Sequence, residues 1–126
     1  MHKDMPHIVS GLDADVRSSE GVAHLASTFA ADRWPAHVVA PSTYEAAAQA
    51  LEALARGRVA AIPLGRGSKQ TLGNLPSSAD AFLSTERLAG IVEHSPHNLT
   101  VTVQAGAGVE DVQAAVGASG QMLPLE

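Results

Sequence analysis

The chain has 126 residues, 45% of them hydrophobic, 17% charged and 3% aromatic, with a formal net charge of −5. That length and balance suit one compact domain and exclude a disordered acidic tail or a low-complexity chain. No apolar run approaches the ~18 to 20 residues that span a bilayer, and net acidity argues against nucleic acid as the main partner.

The start, Met1-His2-Lys3-Asp4-Met5-Pro6, lacks the apolar stretch of a secretory signal. With no cysteine there are no disulfides, iron–sulfur ligands or thiol chemistry, and a cytoplasmic location is the default expectation. Residues 1–17 show no sustained apolar period and read as a mobile arm with a turn at Gly11. A first helix is expected from about Ser19 to Ala31, capped by Ser18 or Ser19. Val22, Leu25, Ala26 and Phe29 form its apolar stripe, and Trp34-Pro35 ends it. Residues 1–33 therefore form an N-terminal arm and helix, and 34–126 the working domain.

Ala36 to Ala40 reads as a short strand. Ser42-Thr43-Tyr44-Glu45 has the form of a capping box with Ser42 as the cap. The helix it opens runs to Arg56, with Gly57 expected in the left-handed position beyond its end. Arg58 to Ile62 reads as a buried strand, and Pro63 opens a loop through Gly65, Gly67 and Gly73. A strand over Ala79–Ser84 and a helical turn at Thr85–Leu88 follow. Gly90 to Gln104 reads as a β-hairpin turning at Ser95–Asn98, with Leu99, Val101 and Val103 facing the core. A last helix begins near Val109, with Glu110 and Asp111 favouring its start and Val109, Val112 and Val116 as its apolar face. The fold class is mixed α/β, a small sheet with flanking helices. The apolar end at Leu123-Pro124-Leu125 suggests a truncated chain.

Charge is unevenly distributed. Between Glu52 and Asp80 stand Arg56, Arg58, Arg66 and Lys69 with no acid among them, half of the eight basic residues. Within that window, Pro63-Leu64-Gly65-Arg66-Gly67-Ser68-Lys69-Gln70-Thr71-Leu72-Gly73 leaves a strand, is punctuated by glycine, and carries hydroxyls and cations. Glycines let successive N–H groups turn toward one centre, a concavity suited to phosphate; the plainer reading is a surface loop. Ser68 and Thr71 can donate to phosphate oxygens, and Arg66 and Lys69 add charge. The loop is not a Walker A sequence, because no Gly-Lys-Ser/Thr run exists. It is not the dinucleotide fingerprint either, because Gln70 stands where the third glycine belongs and no helix follows.

The remaining polar residues point elsewhere. His94 and His97 form a His-x-x-His pair with no third ligand nearby in sequence, and are expected as solvated turn residues, with no metal site. Glu110 and Asp111 are expected as helix-dipole partners and not as an acid/base couple. Gly67-Ser68 runs into Lys69, which excludes the hydrolase elbow. Trp34 and Tyr44 read as packing residues.

Val38-Val39-Ala40-Pro41-Ser42-Thr43, Ala61-Ile62-Pro63-Leu64-Gly65-Arg66-Gly67-Ser68-Lys69, Thr85 to Glu93, Asn98 to Gly106 and Gly120-Gln121-Met122-Leu123-Pro124 together resemble the first FAD-binding subdomain of the vanillyl-alcohol oxidase / p-cresol methylhydroxylase (PCMH-type) superfamily. The form looks most like the FAD-binding E subunit of bacterial glycolate oxidase, over about residues 34 to 126.

The resemblance implies that the loop holds the FAD pyrophosphate through backbone N–H groups. It assigns Pro63, Gly65, Arg66, Gly67, Ser68 and Lys69 to the cofactor, with Gly73 closing the loop and Pro124-Leu125 leading toward the flavin. Some relatives tether FAD through a histidine in this loop; none occurs here, which implies non-covalent FAD. It further implies a flavin-linked oxidase or dehydrogenase acting on a 2-hydroxy acid, with other subunits as partners. No catalytic residue is assigned, because the family's substrate domain lies beyond these residues. The rivals are a non-catalytic fragment or partner-dependent half-domain, and a binding module for a phosphorylated metabolite without redox activity.

Overall fold

The computed structural model describes residues 4–28, 34–74 and 76–125. Its centre is a four-stranded sheet in the order β1-β2-β4-β3, formed by β1 (Ala14–Ser18), β2 (His37–Pro41), β3 (Ala61–Leu64) and β4 (Ala81–Ser84). β1 runs antiparallel to β2, while β2, β4 and β3 are mutually parallel. Helix α2 (Tyr44–Arg56) connects β2 to β3, and β4 then enters between them. Parallel strands need cover on both faces. Alternation along β2 and β4 sorts the side chains accordingly. Val39 and Ala81 meet Ala50 and Leu54 of α2, with Met5 and Val9. Val38 and Phe82 face the opposite way, to Leu25 and Leu64.

From Asp4 onward the described N-terminal residues are part of the fold and not a mobile arm. Met5–Ile8 form a short helix, α1, whose Met5 lies in the core with Val9, and β1 pairs along its whole length with β2. Met5, Ile8 and Val9 do stand at i, i+3, i+4, a one-turn helical signal too short to register as a sustained period. β1 is held a second time by Arg17, whose guanidinium grips both carboxylate oxygens of Glu86 beyond β4. That hydrogen-bonded carboxylate pushes the Arg17 pKa further above its ordinary value.

The expected first helix is a 3₁₀ segment over Ser19–Thr28, broken at Val22, and its Phe29 and end at Ala31 lie outside the described residues. Leu25 is buried in the core and Val22 packs against it, whereas Ala26 is exposed. Trp34 packs edge-on against Phe82 at 5.3 Å and donates its indole N–H to buried Ser19 at 2.8 Å. Tyr44, by contrast, is exposed and packs little.

α2 begins one residue later than its capping pattern suggests. Thr43 is the cap, accepting from the Ala46 N–H at 3.0 Å, because the Ser42 hydroxyl is drawn to Asp13. Replacing Thr43 by Ala should lower unfolding free energy by about 1 kcal/mol, measurable in urea titrations; no change would mean Ser42 can take over the cap. At the other end Gly57 is right-handed (φ −73°) and the positive φ falls on Arg58 (φ 50°). Gly57 sits in a tight place instead: a Cβ there would lie 3.3 Å from both the Ala53 carbonyl oxygen and Ile8 Cδ1.

Pro63 still belongs to β3, which lies at the sheet edge, where a missing N–H does no harm. β5 (Ile91–Ser95) and β6 (Thr100–Val103) make the expected hairpin, and α3 (Val109–Gly117) follows. The expected inward face of β6 is not buried. Leu99 is 79% exposed with φ 56°, and Val103 is exposed as well; only Val101 is half-buried. A two-stranded sheet pairs the backbone without covering either face. In α3, Val112 and Val116 are buried and Val109 is exposed.

Candidate FAD-binding site

The chain leaves β3 at Leu64, which is buried, and turns through Gly65 to Gly73. Gly67 has φ 77°, a conformation that disfavours any side chain, and a Cβ there would press on Leu25 at 3.3 Å. Gly73 has φ 90° in open space. Gly65, Arg66, Gly67, Ser68 and Lys69 are thereby gathered in one turn, just off the edge strand. Among the described residues, no carbonyl or side chain accepts from the N–H groups of Gly65 through Thr71. A glycine loop with its donors unengaged in internal bonding fits an anionic ligand.

Opposite the loop lies the start of α3. Between them is a cavity of about 600 Å³ lined by Arg66, Ser68, Lys69, Ala105, Gly108 and Glu110, among others. The first bond closing α3 runs from the Val112 N–H to the Gly108 carbonyl at 3.1 Å, so the preceding N–H groups have no partner within the helix. Their positive end faces the same space. A second cavity of about 270 Å³ lies on the other side of the loop, where Gly65, Arg66 and Gly67 meet Leu25, His24 and Glu86.

Two glycines, one lining the larger cavity and one next to its lining residues, stand where a Cβ would crowd its neighbours. Gly106 is buried, and a Cβ there would overlap the Thr85 carbonyl, lying 2.7 Å from its carbon and 2.9 Å from the Leu88 oxygen. Its N–H donates to the Leu88 carbonyl at 2.8 Å. A Cβ on Gly108 would lie 2.8 Å from Asp111 Oδ2 and 3.1 Å from Arg66 Nη2. Local sequence does not reveal these approaches, because most of the partners lie elsewhere in the chain.

The cations clustered in sequence are not pooled in space. Arg56 pairs with Glu52 one turn back along α2. Arg66 donates to Asp111 Oδ2 at 3.0 Å and from Nε to the Gly106 carbonyl at 3.2 Å. Among the described residues Lys69 has no ion-pair partner, and it lines the larger cavity. Asp111 therefore has a second role beyond the helix dipole.

Pro124 and Leu125, expected toward the flavin end, follow α3. They are exposed, and they line neither cavity beside the loop. The segment before them is tied to α3, the Leu123 N–H donating to Gln113 Oε1 at 2.9 Å. His94 is not a solvated turn residue: it sits in β5, half-buried, 3.0 Å from Gln121 Oε1. His97 is exposed in the turn. Among the described residues no three His, Asp or Glu side chains converge as metal ligands.

The family model of the FAD binding domain matches residues 35–126. The chain belongs to the FAD binding domain family. FAD is the cofactor of this domain, and the sheet and its helices have the architecture of the PCMH-type fold.

Solved structures share that fold at low identity. A berberine bridge enzyme variant described as a reticuline dehydrogenase is 14% identical with a TM-score of 0.66, over 92% of this chain and 26% of its own. The Physcomitrella patens BBE-like 1 wild-type is 17% identical with a TM-score of 0.63, over 93% of this chain and 26% of its own. An alkyldihydroxyacetonephosphate synthase is 18% identical with a TM-score of 0.58, over 68% of this chain and 18% of its own. The chain thus spans about a quarter or less of these proteins. No curated protein matches its sequence. No helix among the described residues is long and apolar enough to cross a membrane.

Proposed function

We propose that this FAD binding domain supplies the pyrophosphate-holding side of a flavin-dependent oxidoreductase acting on a 2-hydroxy acid. It would work in the manner of the E subunit of bacterial glycolate oxidase, beside other subunits and in the cytoplasm. The observation that carries the reading is the turn at Gly65 to Thr71, whose N–H groups have no described acceptor and which faces the start of α3. Gly65, Gly67 and Ser68 present donors to the pyrophosphate, Lys69 adds charge beside them, and Pro63 and Gly73 bracket the turn. Pro124 and Leu125 lead the chain on toward the flavin end.

FAD, when bound, supplies the hydride acceptor. The residues of this chain bind and orient it. Non-covalent FAD belongs to the same proposal, supported by a loop from Pro63 to Gly73 that carries no histidine.

Titration of the full chain with FAD, ADP and inorganic phosphate tests the reading. FAD should bind more tightly than ADP, and ADP more tightly than phosphate; equal affinity for FAD and ADP would favour a phosphorylated-metabolite module. Gly67→Val places a β-branched residue at φ 77° against Leu25 and should weaken FAD binding about tenfold. Unchanged affinity in a folded variant would remove the loop from the site.

A further inference from the structure

Of the two cations on the glycine loop, Arg66 is held by other residues of the chain, and Lys69 has no described ion-pair partner. Arg66 is engaged on two sides, from Nε to the Gly106 carbonyl and from Nη2 to Asp111. Both partners lie across the larger cavity from the loop, 40 and 45 residues away in sequence. Lys69 lines the same cavity with no described ion-pair partner. Gly108 has no side chain, and a Cβ there would lie 3.1 Å from Arg66 Nη2, so the guanidinium occupies the room glycine leaves.

We propose that Arg66 is a positioning residue, a latch that ties the glycine loop to the start of α3 and sets the cavity's width, while Lys69 is the cation that meets the anionic ligand. The proposal deepens the FAD reading above and rests on it for the ligand's identity. A planar guanidinium suits this task, since its fixed fork can hold a carbonyl and a carboxylate at once. The Asp111 carboxylate, standing in the first turn of α3, is held there also by the helix dipole. The Arg66–Asp111 pair is exposed, so each single loss should be modest.

The test uses the full chain with Arg66→Gln, Asp111→Asn, their double variant and Lys69→Gln. Lys69→Gln should weaken FAD binding about fivefold and flatten its salt dependence, because a ligand-facing charge is lost. Arg66→Gln and Asp111→Asn should each weaken it about threefold with the salt dependence retained. The double variant should be no worse than the weaker single, since the two act as one unit.

A measurement without FAD accompanies it. Backbone ¹⁵N order parameters at residues 65–69 should fall on Asp111→Asn and not on substitution of exposed Leu51 by Ala. If Asp111→Asn tightens FAD binding, or if Arg66→Gln flattens the salt dependence as Lys69→Gln does, Arg66 is itself a ligand and the latch is wrong. Unchanged order parameters on Asp111→Asn would also overturn it. If unaltered protein fails to bind FAD while those order parameters still fall, the latch stands and the FAD reading is lost.

Discussion

Gly106→Ala is expected to lower the unfolding free energy by about 3 kcal/mol, with β5, β6 and α3 released from their seat on the rest of the fold. The added Cβ would meet backbone, with the Thr85 carbonyl carbon at 2.7 Å and the Leu88 oxygen at 2.9 Å. Flexible side chains could give way, whereas these two carbonyls cannot move without loosening the turn they belong to. That turn is closed by the Leu88 N–H to the Thr85 carbonyl, and Gly106 bonds back to Leu88. The substitution therefore strikes a junction between three segments. Urea unfolding gives the size of the effect, and a loss under about 0.5 kcal/mol, the usual range for a surface change, would mean the approach is looser than described.

Phe82→Ala should cost about 3–5 kcal/mol, the range for deleting a fully buried aromatic side chain. Phe82 is 0% exposed, on the strand that sits between β2 and β3. It carries the face of the sheet that Leu25, Val38 and Leu64 complete, with Trp34 edge-on to it. Alanine is plentiful and large side chains are few, so no neighbour can refill the space. The same measurement on Leu72→Ala, at a residue 76% exposed, should move stability by no more than about 0.5 kcal/mol. If the two variants proved alike, Phe82 would not be the centre of that face. Because Leu64 and Leu25 underlie Gly67, Phe82→Ala should also weaken the ligand loop from below.

These two sites differ in how visible they were. Phe82 lies in a short apolar strand and its importance can be read locally. Gly106 resembles any glycine that ends a strand, and nothing within ten residues of it announces a carbonyl in the way. The hairpin shows the converse error. Leu99, Val101 and Val103 alternate cleanly, yet alternation states only that two faces differ and not that one is covered. The cation window failed for a related reason: Arg66 and Lys69 are three residues apart, but only Arg66 meets the carboxylate of Asp111.

The sequence by itself determined what depends on near neighbours. It placed β2, α2, the turn after β3 and α3 to within a few residues, because periodicity, a cap and positive-φ glycines act over one or two turns of chain. The ordered set of motifs was also enough to reach the FAD binding domain. Only the tertiary structure decided that Met5 and Val9 enter the core and Ala14–Ser18 join the sheet, that Thr43 and not Ser42 caps α2, and that Arg66 is engaged across the cavity. Each of those outcomes turns on a partner far along the chain: β2 for β1, Asp13 for Ser42, Asp111 for Arg66. Hydrogen bonds and ion pairs require particular atoms to meet within a few ångströms, and which distant atoms meet is fixed by packing the whole sheet, not by any local pattern.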